Sequence, residues 1–244
     1  MHPVIARTLF WMWLIAISVV VSCGKEEDDD KHVPLLPDPD SVTDIEGNEY
    51  PVVRIGNQLW MAENLRVSLF NDGTPVPSTS PTNLDMSSLP QGIYQWVTMY
   101  DTSYLIDLGR VYSFDVATHP HKEICPEGWR IPTMMDWQTL NVHLGGSPSL
   151  LVDAQVLMEE ESNYWKPGSD PTAGVPNNET GFTARGGGVR LITGGDWMDF
   201  KEVAYFMIDD YKHGYLIDYN QSLAYAGAPG NSPYKHIRCL KKSE

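Results

Sequence analysis

Apolar and polar positions follow a clear helical period at one place in this chain. Met134, Trp137, Leu140 and Leu144 recur at three- and four-residue spacing, and Gly145-Gly146 closes the run. Ahead of them Thr133 is a good N-cap, Asp136 stands at the third helical position, and Pro132 and Trp137 occupy the two positions of a hydrophobic staple. The pattern predicts a helix starting from Thr133. Elsewhere the apolar residues come in short runs broken by turn residues. Residues 48–55 and 58–61, joined by Gly56-Asn57, give a hairpin signal. Residues 93–100 and 109–116 carry aromatic side chains suited to half-buried strands. Residues 150–158 are apolar and read equally as helix or strand. Short strands are predicted again at 203–208, 215–219 and 236–240. Residues 71–91, rich in Pro, Ser, Thr, Asn and Gly, read as a long surface loop. Residues 174–188 are loop-rich, and Gly186-Gly187-Gly188, which lacks the Lys-Ser/Thr and the strand-to-helix context of a phosphate loop, reads as a turn. The expected class is α+β, with short antiparallel strands dominating, few helices and long loops.

The ends add a location. Residues 1–22 have Arg7 as a short positive region, an apolar run over 9–21, and the closing residues Val20-Val21-Ser22-Cys23. The run is short for a spanning helix, so it reads as a signal peptide. Its end resembles a bacterial lipobox, which implies cleavage before Cys23 and acylation of that cysteine. Several acyl chains anchor stably where one is marginal. Gly24-Lys25-Glu26-Glu27-Asp28-Asp29-Asp30 follows, and residues 23–40 read as an acidic, proline-stiffened tether. That run also resembles the acidic signal that displays Bacteroidetes lipoproteins outside the outer membrane. The expected location is therefore the outer membrane, exposed at the cell surface. Residues 41–244 form the expected single domain, roughly two hundred residues and enough for one sizeable core. Asp40-Ser41-Val42 also resembles an O-glycosylation tripeptide of the same group.

Charge excludes some partners. Residues 1–22 remove only Arg7, leaving 16 basic against 32 acidic side chains, or −16. Such a surface opposes nucleic acid and anionic lipid, and leaves the acyl chains as the membrane contact. With Cys23 acylated, Cys125 and Cys239 remain. In an exported domain they read as one disulfide, the alternative being two free thiols.

Several separated stretches carry a family resemblance. They are residues 44–50, then Ile55-Gly56-Asn57-Gln58-Leu59-Trp60-Met61-Ala62-Glu63-Asn64-Leu65, then Gly109-Arg110-Val111-Tyr112. Ile124-Cys125-Pro126-Glu127-Gly128-Trp129-Arg130-Ile131-Pro132-Thr133 with Asp136-Trp137 follows, then Thr180-Gly181-Phe182 and Ile237-Arg238-Cys239-Leu240. In this order they resemble the Fibrobacter succinogenes major paralogous domain family. Residues 204–208 depart from it, where that family more usually has a Trp-Ser-Ser type strand. The stretch 128–137 also looks like the Arg-Leu-Pro-Thr-Glu-Ala-Glu-Trp motif of formylglycine-generating-enzyme-like domains. That likeness implies a C-type-lectin-like fold, with a cysteine before the helix bonded to one in the last strand. It implies that Trp129 and Trp137 lie buried beside the bridge. Fold analogy carries no function.

Candidate chemistry is sparse. A formylglycine-generating oxidase needs reactive, metal-binding cysteines, and the two available are better spent on a disulfide. The sugar-binding calcium triplets of C-type lectins are missing from the sequence. Asp196 and Asp209-Asp210 read as turn and surface acids rather than calcium ligands. His119-Pro120-His121 offers two metal ligands without a third, and reads as loop. No nucleophile elbow or assignable carboxylate pair is found, and no metal or cofactor is called for. What remains is aromatic. The last third carries Trp197, Tyr205, Phe206, Tyr211, Tyr215, Tyr219, Tyr225 and Tyr234. Tyr205, Phe206 and Tyr234 read as strand core. Trp197, Tyr211 and Tyr215 lie beside turn residues, and the pattern leaves binding and core both open for these three. They are the ligand candidates, since aromatic side chains join a large apolar face to a polar tip. The expected function is a non-catalytic binding module for a glycan or a surface protein. The alternative is an enzyme, carbohydrate-active or otherwise, on the same scaffold.

Overall fold

The computed structural model describes residues 38–88, 92–166, 174–210, 213–229, 232 and 234–243. The signal segment, Cys23, most of the tether and Tyr211 lie outside these residues. The first strands are β1 (Ser41–Thr43), β2 (Glu49–Ile55), β3 (Gln58–Met61), β4 (Gln95–Val97) and β5 (Arg110–Ser113). Then come β6 (Trp129–Arg130), β7 (Leu150–Leu151), β8 (Val189–Arg190) and β9 (Trp197–Met198). The last are β10 (Val203–Phe206), β11 (His213–Asp218), β12 (Leu223–Pro229), β13 (Tyr234–His236) and β14 (Leu240–Lys241). Three α-helices are described: α1 (Leu105–Leu108), α2 (Phe114–Ala117) and α3 (Met134–His143). The fold is β-rich with few helices, as the short apolar runs predict.

One sheet has the order β1-β2-β3-β14-β6, so the last strand inserts between the opening hairpin and the strand before α3. The β2–β3 hairpin is the predicted one, Ile55 pairing with Gln58 across a Gly56 at φ 60°. β1 has no sequence signal of its own. It is held by Asp44, whose carboxylate accepts from two backbone N–H groups, from the Asn48 amide and from the Tyr50 hydroxyl. A second sheet runs β4-β5-β13-β10-β11-β12-β7. All its pairings are antiparallel except β10–β13. The separate β8–β9 hairpin sets Arg190 directly opposite Trp197.

Helix α3 forms as its pattern requires. Thr133 Oγ1 accepts from the Asp136 N–H at 3.3 Å, and Asp136 Oδ2 accepts from the Thr133 N–H at 2.6 Å. Arg130 adds a two-pronged contact to the same carboxylate. At the other end Gly145 takes φ 85°, and the Gly146 N–H reaches the Asn141 carbonyl. This is a Schellman stop, where glycine avoids the left-handed penalty.

Other elements differ from the sequence pattern. The run 93–100 is strand only at β4 and then folds into a 3-10 turn, Thr98–Tyr100. Residues 150–158 split into the two-residue β7 and a 3-10 turn, Ala154–Leu157. β12 carries little local signal, because its Ala and Gly residues have little strand propensity. Its long pairing with β11 overrides that.

Three apolar clusters result. The largest gathers Trp60, Trp137, Phe182, Phe206 and Tyr215 under α3. The second surrounds Cys125 and Cys239 and includes Trp129, Tyr50 and Tyr112. The third holds Met86, Trp96, Val111 and Tyr234. Two expectations are corrected here. Trp129 packs beside the cysteine pair, but Trp137 belongs to the other cluster, because its ring reaches Phe206 on β10 and Tyr215 on β11. Tyr215 is not on a loop. It lies within β11 at 0 % exposure, stacked on Trp137 at 4.0 Å between centroids, and its hydroxyl donates to Asn141 Oδ1 at 2.7 Å.

The strand pairing also buries base. His236, on β13, is 1 % exposed, and burial pushes its pKa from 6.5 down to about 3. The unfolded chain therefore takes up a proton near pH 6.5 that the folded chain refuses until about pH 3. Stability contributed by the neutral ring is present above pH 6.5 and falls as pH drops through that window. The slope is at most about 1.4 kcal/mol per pH unit. Urea midpoints at pH 7 and pH 5 should differ in the parent, and the difference should shrink in His236→Gln. An unchanged difference would show that other groups carry it.

Candidate functional site

Of the two sequence candidates among the described residues, Trp197 is placed where it contributes to a surface and Tyr215 is not; Tyr211 lies outside those residues. It is half-buried on β9, and its ring meets the edge of Tyr100 at 5.7 Å. The Tyr100 hydroxyl donates to the Gly195 carbonyl in the turn before β9. Just beyond, Phe200 meets Tyr104 edge-on at 5.4 Å, and Tyr104 meets Tyr164 at 6.3 Å. All five rings are half-buried. Segments 100–104 and 197–200 thus run side by side, each presenting aromatics, with Tyr164 added from a third stretch of chain.

The backbone under these rings is unusual. Met99, Tyr100, Asp199 and Lys201 all take left-handed φ, at 56°, 59°, 58° and 66°. Each such non-glycine residue costs about 1–3 kcal/mol and persists only where its surroundings enforce it. Both segments carry this strain at the point where they present their rings. The sequence gives no sign of it.

Polar groups are interleaved with the rings. Arg185 donates from Nε to Glu159 Oε1 at 2.8 Å and from Nη1 to the Asp107 carbonyl at 2.7 Å. Its guanidinium lies 5.8 Å from the Tyr164 centroid. The Tyr164 hydroxyl donates to Asp107 Oδ2 at 2.6 Å. Burial, then that bond, pushes the Tyr164 pKa up to about 12, so the phenol stays protonated at neutral pH. Tyr205, expected in the core, is half-buried, and its hydroxyl donates to Asp199. Lys201 Nζ stands 5.9 Å and 5.7 Å from the centroids of Tyr164 and Phe200. Among the described residues it has no hydrogen bond or ion pair.

Beneath the strip a buried cation braces it. Arg190 is 0 % exposed and lies over Trp96 at 4.2 Å, Tyr234 at 5.1 Å and Tyr100 at 6.0 Å. Its Nη2 donates to the Leu84 carbonyl at 2.6 Å and its Nη1 to the Leu191 carbonyl at 3.1 Å. Carbonyls and ring faces replace a carboxylate here. Held this way, Arg190 fixes the hairpin that carries Trp197.

The remaining candidates separate from this surface. Cys125 and Cys239 are bonded, with Cα atoms 5.9 Å apart. Ser41 is half-buried on β1, and its Oγ donates to Glu49 Oε1 at 2.5 Å. His119 Nδ1 accepts from the His121 backbone N–H at 3.2 Å. Asp210 pairs with His213 at 2.6 Å, and Asp196 sits on the β8–β9 turn. Among the described residues no three His, Cys, Asp or Glu side chains gather as metal ligands. Sequence reasoning missed Tyr100, Tyr104, Tyr164 and Phe200. Tyr100 lies in a run with strand character, and nothing local marks the others.

No curated protein and no solved structure matches the chain. The family model of the Fibrobacter succinogenes major domain matches residues 53–241. The matched span runs from β2 to β14 and takes in both bonded cysteines and every ring of the aromatic strip. By that match, the chain belongs to the Fibrobacter succinogenes major domain family.

Proposed function

We propose that this chain is an outer-membrane lipoprotein displayed at the cell surface, whose domain is a non-catalytic binding module for an extracellular glycan or partner protein. The recognition face is the strip of Trp197, Tyr100, Tyr104, Phe200 and Tyr164. One observation carries this reading: five half-exposed rings from three separate stretches of chain are locked edge to face over strained backbone. Rings used only for stability belong in the core, where burial is worth about 25 cal/mol per Å² of apolar surface. Rings held rigid and half open lose little entropy on binding.

The C-type-lectin-like fold is part of the proposal. It is supported by the pairing of the opening hairpin with β14 and by a disulfide from the stretch before α3 to the stretch before β14. Display at the membrane rests on Val20-Val21-Ser22-Cys23 and the acidic tether. No described helix is long and apolar enough to cross a membrane. Cys23→Ala should release the protein from membranes or leave it unprocessed. A membrane-bound mature form of normal size in that variant would remove the anchor from the account. Protease treatment of intact cells should digest the domain, and full protection would place it in the periplasm.

The recognition face is tested with Tyr104→Ala and Trp197→Ala. Each should weaken ligand binding by about 1–3 kcal/mol with the fold retained by circular dichroism. Trp197 also packs against the buried cluster of Met86, Trp96, Val111 and Tyr234, so Tyr104 gives the cleaner measurement. Turnover of a cell-surface polymer, abolished by a single Asp or Glu substitution, would replace the binding module with an enzyme.

A further inference from the structure

We infer that the strip takes a neutral glycan, a chain of uncharged pyranose rings. The inference rests on the recognition role proposed above and narrows it to one ligand class. A pyranose ring has an apolar C–H face and a rim of hydroxyls, each able to donate and to accept. The strip presents the matching elements together. Tyr104, Tyr164 and Phe200 are partly exposed rings, Tyr104 meeting each of the other two edge to face. Around them stand acceptors and donors in close alternation: the Asp107 carboxylate, the Tyr164 hydroxyl, the Asp199 carboxylate and the Lys201 ammonium.

Lys201 is the informative member. Its backbone is left-handed at φ 66°, and its ammonium lies against the Tyr164 and Phe200 rings without an ion-pair partner among the described residues. A donor so placed, at the edge of two stacking faces, is positioned for an oxygen on a ring lying over them. It is also too isolated to hold a polyanion. Arg185 is already engaged by Glu159 and Asp107, and Lys166 by Glu202. Asp107, Glu159, Asp199 and Glu202 thus balance Arg185, Lys166, Lys201 and the buried Arg190, on a chain of net charge −15. A glycan carrying a carboxylate or sulfate on each unit finds no excess of cations there and a repulsive overall charge.

The same interleaving disfavours a protein partner. The centre of a protein interface is depleted in charged side chains, since each must be stripped of water. Here charged groups stand between the rings, and desolvating them under an apolar patch leaves them unpaired. Sugar hydroxyls replace the lost water in kind, so the ring faces are covered without orphaning the charges.

The full chain, purified in detergent, is titrated by calorimetry with neutral hexasaccharides of glucose, mannose and xylose in α and β linkage, and with polygalacturonate. At least one neutral oligosaccharide should bind, and Phe200→Ala should weaken it about ten-fold. Lys201→Met should weaken the same ligand several-fold. It removes a charge with no hydrogen bond or ion pair among the described residues and keeps an apolar side chain against the Tyr164 and Phe200 rings, so it keeps the test open if Phe200→Ala does not fold. Affinity should hold as NaCl rises from about 0.05 to about 0.5 M, because no ion pair carries it. Binding of polygalacturonate alone, lost with salt, overturns the inference, as does the failure of every neutral oligosaccharide. If no glycan binds but Phe200→Ala abolishes capture of a purified surface protein, the glycan class falls and the recognition face stands. If the strip variants change no binding at all, both fall.

Discussion

Trp137→Ala is expected to destabilise the domain by about 3–5 kcal/mol, the range for removing a large, fully buried aromatic side chain. Trp137 is 0 % exposed and touches four other rings. Tyr215 stacks on it at 4.0 Å, Trp60 lies at 4.5 Å, Phe206 at 5.5 Å and Phe182 at 6.0 Å. These rings come from β3, β10, β11 and the loop before β8, so one side chain joins α3 to both large sheets. The surrounding rings are themselves wedged edge to face, which limits collapse into the space left behind. Tyr215 loses most, because its hydroxyl is tied to Asn141 on α3 and its ring cannot follow. Trp137→Phe should cost clearly less. It keeps a ring and removes an indole N–H that is buried without a partner among the described residues. Urea unfolding followed by circular dichroism reads both variants. A loss under about 1 kcal/mol for the alanine variant would contradict this account of the core.

The same helix shows how far the sequence could be read. Thr133, Asp136, Trp137 and Gly145-Gly146 announce α3 because capping and periodicity are local, and the structure uses each of them. Gly56-Asn57 announces the first hairpin for the same reason. β12 is another matter. Its alanines and glycine carry no strand preference, and it exists because β11 offers a long edge to pair with. Tyr215 shows the limit within one element. Its neighbours Asp209-Asp210 and His213-Gly214 are turn-like, yet the ring is drawn inward because Trp137, far off in sequence, supplies its stacking face. Most of the strip lies beyond local reading. Tyr100 and Trp197 meet because β4 leads into a left-handed 3-10 turn and because Arg190 pins a hairpin. Neither cause leaves a mark in the residues beside them. Trp197 alone carries a local mark, standing just after the turn residues Gly194-Gly195.

Replacing Cys125 and Cys239 together by serine should cost about 4–5 kcal/mol, the chain-entropy estimate for a loop of this length. The bond spans 114 residues and encloses β6 to β13 together with α3. Both cysteines are buried, at 2 % and 0 % exposure, in the cluster with Trp129, Tyr50 and Tyr112. In the folded state the bond largely duplicates what the strands already do. Leu240 and Lys241 on β14 pair with Arg130 and Trp129 on β6, and the Cys239 carbonyl accepts from the Met61 N–H. The stabilisation therefore acts mainly on the unfolded chain, by denying it open conformations. The double serine variant should consequently keep its native circular dichroism and its ligand binding at low temperature while its urea midpoint falls. Its denaturant slope should rise, because an uncrosslinked chain exposes more surface when it unfolds. Maleimide should label neither cysteine in the parent until reductant and denaturant are both present. Two free thiols in the oxidised, purified protein, or equal midpoints for parent and variant, would count decisively against the bond as the clamp on the long loop. A variant that loses its native spectrum even without denaturant would show instead that β6 and β14 need the bond to find each other, since their pairing is only two residues long.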